Sequence, residues 1–332
     1  MNVTVAQFRP AFVGIDDGQC AVKLVTEDGR MLVIPSGAAG TTARGVRYTT
    51  DDGVVVGVDE HAAPHDAAPM ADFALSAHNR ALVHHALRQA GFGGRRVRIA
   101  TGLPVAGYYH GGERNARLIG AKLVHQRQPV RSDAGACADI VGNVVASGAV
   151  AAYFDQLIDM DGGATAARDE VRHARVAVID VGGDATHCAV LQPGGTELDT
   201  ERSGAAGLGA RGLQARVDLA LRQRFGFDEV PPALVDDALC SGIFQVHGQG
   251  VAVQDLVLAE KEALAEDIMR AVRERIGTGR DLAWLLFAGG GAVLMREQLA
   301  RRYPHCRFPD HPQFANARGM LKIAKYVFGA KD

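Results

Sequence analysis

The sequence lacks any long apolar run. Nowhere do about 18 consecutive apolar residues occur, so no membrane span and no membrane partner are expected. It also lacks an excess of either charge. Lys+Arg number 36 and Asp+Glu 38, a formal net charge of −2, which leaves no electrostatic footprint for direct nucleic-acid binding. Cysteine is scarce: Cys20, Cys137, Cys188, Cys240 and Cys306 stand apart, with no CxxC and no Cys/His pair at metal-site spacing. A reduced, cytoplasmic chain with mostly buried thiols is the expectation. The opening MNVTVAQFRPAFVGIDDG shows no charged segment followed by an apolar core, so no secretory leader is expected. No Walker A pattern is present, which argues against P-loop chemistry.

What is there is globular. Of the 332 residues, 47% are hydrophobic and 22% charged, enough for about two domains of ordinary size. The 40 glycines gather in short runs, and those runs follow apolar strands. Phe12–Ile15 ends in Asp16-Asp17-Gly18 and is followed by the apolar Ala21–Val25; the turn residues between them predict an antiparallel hairpin. Val176–Ile179 repeats the pattern, ending in Asp180-Val181-Gly182-Gly183 before His187–Leu191. The two copies lie 164 positions apart, near half the chain, and predict two related α/β domains facing each other across a cleft. Trp284–Phe287 is a buried strand running into Ala288-Gly289-Gly290-Gly291, and Asn143 reads as the start of an Ala/Val-rich helix reaching about Ile158.

Two Asp-bearing hairpins have a chemical reading. Glycine lacks Cβ, so backbone N–H groups can approach a phosphate closely. An Asp at a strand end can hold Mg²⁺ through its waters, because Mg²⁺ dehydrates reluctantly. Facing hairpins of this kind would clamp the β- and γ-phosphates of a nucleotide. Either copy alone reads first as a plain tight β-turn, for which Asp17-Gly18 is a strong signal in the first.

At these residues the sequence resembles the ParM/StbA family of plasmid-segregating, actin-like ATPases. The resemblance runs from Ile15–Leu24 through Val83–Leu87, Thr101–Pro104, Tyr108-Tyr109, Ile179–Gly183 and Phe287–Ala292 to Phe314–Met320. It implies an α/β fold of two RNase H-like domains about a nucleotide cleft. Domain I would span 1–150 plus 312–332, with an outer subdomain at about 36–72. Domain II would span 151–311, with one at about 205–255. It further implies Mg²⁺ and ATP as cofactors, with GTP an open alternative, and slow hydrolysis coupled to homopolymeric filaments that reach DNA through an adaptor protein. A non-dynamic nucleotide-binding scaffold, or a sugar or acetate-type kinase of the same fold, are the alternatives.

By the same resemblance, Asp16 and Asp180 hold the metal through water. Asp17, Gly18, Gln19, Lys23, Gly182, Gly183 and Asp184 surround the phosphates, and Gly289, Gly290 and Gly291 admit the purine and ribose, with Gly207 near the nucleotide. Lys23 also reads as an ordinary solvated strand residue, and the glycine run as a simple strand-to-helix turn. The family commonly places Glu at the start of the helix assigned here to Asn143. Asn cannot act as a base and can only orient water, and it is also a favoured N-cap. Gly-Asp-x-Thr-His at 183–187 is similar to eukaryotic actin, so Asn143 and His187 would together position the attacking water, beside Asp180; a partly buried structural His187 is the other reading. Gly207–Gly212 matches GxGxxG, but no convincing strand enters it, so a dinucleotide site is not expected. His61 with His65, and His84 with His85, lack nearby ligands and read as surface or packing residues.

Overall fold

The computed structural model describes residues 9–36, 38–39, 45–59, 72–195 and 197–328. His61 and His65 lie outside them. The N-terminal half holds a five-stranded sheet of β1 (Ala11–Asp17), β2 (Ala21–Thr26), β3 (Met31–Pro35), β4 (Arg96–Leu103) and β5 (Asp139–Ser147), in the order β3-β2-β1-β4-β5. The C-terminal half holds β6 (Arg175–Val181), β7 (Thr186–Leu191), β8 (Leu198–Ala206), β9 (Leu282–Ala288) and β10 (Cys306–Arg307), in the order β8-β7-β6-β9-β10. The order is the same in both. In each, the first three strands are an antiparallel meander and the last two join parallel to the first. Parallel neighbours need crossover connections, and helices supply them: α1 (Ala77–Gln89) lies between β3 and β4, α2 (Ala116–Arg127) between β4 and β5, and α4 (Ala210–Phe225) and α5 (Gln254–Ile276) between β8 and β9, while α3 (Gly148–Leu157) links the two sheets and α6 (Ala315–Lys322) follows β10.

Strand alternation sets the layers. In β6, Ala177, Ile179 and Val181 pack against α4 and α5, whereas Val176 and Val178 pack against α3. In β1, Val13 and Ile15 meet α1, while Phe12 meets α6. Helices α3 and α6 are thus the central layer between the two sheets. They cross closely. A Cβ at Gly319 would lie 1.7 Å from Ala151 O, so only glycine permits the contact. The crossing is fastened by Asp155 of α3, whose fully buried carboxylate receives Arg318 Nη2 and Lys322 Nζ, each at 2.7 Å.

Two sequence expectations change. Asn143 does not open a helix: it stands within β5, opposite Ile99 of β4, and the helix begins five residues later at Gly148. A strand, β8, does enter Gly207–Gly212, with α4 following; it pairs antiparallel to β7, so no dinucleotide-binding βαβ unit results. Between α3 and β6, the polar segment 159–172 carries a short helix at Ala166–Val171.

Candidate active site: two facing hairpins

Each sheet presents a hairpin at the end of its first strand. In the ladders Asp16 pairs with Lys23 and Asp180 with His187. Period-2 alternation puts Asp180 and His187 on the face of the second sheet that carries Val178 and Ala189, toward α3. On β1, Asp16 shares its face with Gly14, which lies against Ala317 and Leu321 of α6. Both carboxylates therefore open toward the central helices. Burial raises the Asp16 pKa, the Asp180 and Asp17 charges raise it further, and Lys23 opposes them. Lys23 Nζ stands 3.6 Å from Asp16 Oδ2, both side chains about one-fifth exposed.

The hairpin tips meet. Cys20 Sγ donates to Asp184 Oδ2 at 3.2 Å, and a Cβ at Gly183 would lie 2.1 Å from that sulfur. The Cys20 thiol is pushed up to about 11, by burial first and then by its bond to Asp184. Asp184 is also paired with Arg211 Nη1 at 3.1 Å. Gly18 and Gln19 form the first turn, where Ser36 Oγ donates to Gly18 O at 2.9 Å. The second turn closes with Gly182 N–H on Ala185 O, and the N-terminus of α4 caps it: Ala210 and Arg211 N–H donate to Gly182 O and Gly183 O, each at 2.9 Å. Beside this tip is a cavity of about 310 Å³ lined by Gly183, Asp184, Gly207, Gly209 and Arg211 among others.

Gly289 ends β9 with φ +88°. A Cβ there would sit 2.5 Å from Asp180 Oδ1 and 2.4 Å from Val181 O, so both the left-handed backbone and the close approach require glycine. Gly291 packs on Val181, whereas Gly290 faces open space. The run therefore brings bare backbone against the Asp180 carboxylate.

Two of the expected site residues are placed elsewhere. Asp17 is no phosphate ligand. Alternation turns it away from Asp16, and its fully buried carboxylate is consumed by Lys122 Nζ at 2.6 Å, Asn79 Nδ2 at 2.8 Å and Gly102 N–H at 3.1 Å. Asn143 donates its amide to Leu123 O at 2.9 Å, on α2, so it holds a helix to the sheet instead of orienting water. His187 stays beside Asp180, with Nδ1 buried and unpartnered among the described residues. His84 and His85 are buried packing residues. His85 Nδ1 bonds Tyr48 Oη at 2.9 Å, and burial, helped by Arg80, pushes the His84 pKa down to about 4. Among the described residues no group of three His, Cys, Asp or Glu could hold a metal directly.

Sequence reasoning missed several contributors. Asn316 Nδ2 donates to Asp180 Oδ2 at 2.9 Å; its signal was its place in the Phe314–Met320 motif. Gly209 and Arg211 of the GxGxxG run touch the second hairpin. Cys20 and Asp184 occupy equivalent positions in the repeat, and their contact across the cleft had no local signal.

The family described as archaeal actin homologue MreB-like, C-terminal, matches residues 178–301. No curated protein matches the chain by sequence. Among solved structures, Ta0583, an archaeal actin homolog in complex with ADP, is 22% identical with a TM-score of 0.75, covering 95% of this chain and 99% of that one. The 15-stranded ParM filament from Clostridium botulinum is 16% identical with a TM-score of 0.71, covering 96% and 99%. The actin-like protein Alp7A is 13% identical with a TM-score of 0.73, covering 97% and 98%. The chain has the actin-like ATPase fold.

Proposed function

We propose that the chain binds ATP with Mg²⁺ between its two hairpins, hydrolyses it slowly, and forms filaments of its own copies that move plasmid DNA through an adaptor. The observation that carries this reading is the pair Asp16 and Asp180. They end equivalent strands and open toward the same central helices, and the Asp180 charge adds to burial in raising the Asp16 pKa. A desolvated carboxylate raised by a neighbouring carboxylate is a site short of positive charge. Carboxylates spread over two hairpins, with no third acidic ligand clustered among the described residues, suit a cation that keeps its own waters, as Mg²⁺ does. Bound there, Mg²⁺ would neutralise phosphate charge. Bare backbone at Gly18 and Gly183 suits phosphate oxygens, whereas the Gly182 N–H is already spent on Ala185 O. The cavity beside Gly207 and Arg211 lies next to the second hairpin, where the rest of a nucleotide would extend.

Hydrolysis needs positioning more than acid–base power. A water attacks the terminal phosphorus, the bond to the bridging oxygen breaks, ADP leaves, and the proton released ends on inorganic phosphate or solvent. Asp180, fixed by Asn316 and flanked by His187, borders that space. The ADP complex of Ta0583 and the filament of the Clostridium botulinum ParM support nucleotide binding and self-association as the reading. The plasmid role and the adaptor rest on the motif resemblance, and the balanced charge fits indirect contact with DNA.

The test is right-angle light scattering on the purified chain with Mg²⁺ and ATP, with phosphate release followed in parallel. Scattering that rises and then decays as phosphate appears is expected. Phosphate release with flat scattering at every concentration would overturn the filament and favour the scaffold or kinase. In an electrophoretic assay the chain alone should leave DNA unretarded.

A further inference from the structure

Helix α3 begins beside Asp180 with Gly148, a residue with no side chain. A Cβ there would stand 3.8 Å from Asp180 Oδ2, and 3.3 Å from Asn316 Nδ2. The space a longer residue would fill is occupied by the Asn316 amide, delivered from the other central helix, α6. Asn316 is 4% exposed. Its orientation is dictated by chemistry: an ionised carboxylate only accepts, so the NH₂ must face Asp180 and the carbonyl oxygen must face away. That oxygen, Oδ1, is buried and has no partner among the described residues. Leaving a buried acceptor unsatisfied is costly, and such groups ask for a ligand or water to complete them. A second buried orphan, His187 Nδ1, belongs to the cross-strand neighbour of Asp180. The Ser147 N-cap makes no side-chain bond to the helix start.

We propose that Asn316 is the positioning residue of hydrolysis. Its Nδ2 holds the Asp180 carboxylate, and its Oδ1 accepts an O–H from the water that attacks the terminal phosphate. The amide takes the place that the helix start leaves empty at Gly148. This rests on the nucleotide reading above. The water donates one O–H to Oδ1 and turns a lone pair toward phosphorus; the amide takes no proton, in keeping with slow turnover.

The experiment compares the full-length chain with three variants, by binding of a fluorescent ATP analogue in Mg²⁺, by single-turnover phosphate release from ATP, and by thermal melting. Asn316→Ala should bind nucleotide within about threefold of the parent while phosphate release falls by about ten- to a hundredfold. Asn316→Ala combined with Gly148→Gln should recover most of that rate, because an amide returns from the other side to the vacated space. A merely structural role for Asn316 would show no such rescue. Gly148→Val keeps Asn316 but pushes a side chain into its amide, and should slow release similarly; this variant decides the matter if Asn316→Ala does not fold. A parent chain that binds no nucleotide would sink the functional reading and the proposal with it. A parent that binds and hydrolyses, with Asn316→Ala or Gly148→Val releasing phosphate equally fast, would overturn the proposal alone, as would a double variant no faster than Asn316→Ala.

Discussion

The first hairpin places Lys23 opposite its Asp16, and the second places His187 opposite its Asp180, seven residues on in both cases. One position further along each strand, Asp17 corresponds to Val181, and at the tips Cys20 corresponds to Asp184. The backbone plan is shared; the support is not. Val181 is an apolar plug in the core between the second sheet and α4. Asp17 is an ion, buried with Lys122 and tied to Asn79 and Gly102. The first hairpin is thus fixed by polar bonds that must all be satisfied. The second is fixed by packing, by the α4 amides on Gly182 and Gly183, and by the Asn316 amide on Asp180. Equivalent strand ends can be held by opposite chemistry, leaving each carboxylate that faces the cleft with a different neighbour.

The comparison breaks most sharply at the buried pair. Lys122→Met strands the Asp17 charge, and a lone buried charge costs about 3–5 kcal/mol. Adding Asp17→Val gives the first hairpin the apolar residue of the second. The double variant should be less destabilised than Lys122→Met alone, because a buried ion pair is replaceable by apolar groups where a single ion is not. Recovery should be incomplete, since Gly102 N–H and the Asn79 amide lose their acceptor. Denaturant melts of the parent, both singles and the double measure the coupling. Additive losses would mean that the pair does not anchor the hairpin.

Much of this was legible in the sequence, and the misses have physical reasons. The repeat Asp-x-Gly at 16–18 and 180–182, with its strand partners, could be read because a hairpin is local: strand, turn and strand are contiguous. The same alternation would have told Asp17 from Asp16, since neighbours on a strand face opposite ways; the motif carried both along. Asn143 reads from sequence as a helix start because Ala and Val support strand or helix alike and Asn caps helices well. What keeps residues 139–147 extended is their parallel pairing with β4, which lies over 35 residues upstream. Ser147-Gly148, the true helix start, has weaker local marks. Asn316, on a helix 136 positions away from Asp180, had no local signal for its partner.

A smaller effect separates the two cleft carboxylates. Burial and the Asp180 charge raise the folded-state pKa of Asp16, so its ionised form costs stability. The sign follows: in acid, where Asp16 is protonated both folded and unfolded, no cost arises; as pH rises from the ordinary carboxylate range through the raised folded value, stability is lost. Asp16→Asn removes that cost. The nucleotide-free variant should be more stable than the parent at neutral pH by about 1 kcal/mol, with the gap closing in acid, while its Mg²⁺-dependent nucleotide binding collapses. Melts across pH, beside binding titrations, test both halves. A destabilised variant at neutral pH would place the Lys23 attraction above the desolvation and repulsion.

The smallest expected effect lies where the tips touch. Cys20 and Asp184 are equivalent residues in contact, and the carboxylate is one reason the thiol is pushed up to about 11, burial being the larger. Thiolate is the reactive form, so alkylation of Cys20 should be slow beside that of the exposed Cys240. Asp184→Asn removes the charge and keeps the shape. Because burial remains, the thiol should fall only part of the way to its ordinary value, and alkylation should quicken by about two- to tenfold. Peptide-resolved mass spectrometry of the folded chain reads Cys20 and Cys240 in one experiment, with Cys240 as the internal standard. An unchanged ratio would mean that the tips are not in contact in solution and that the hairpins stand further apart than the Sγ–Oδ2 separation of 3.2 Å implies. A quickened Cys20 that slows again on adding Mg²⁺ and nucleotide would put the ligand between the same two tips.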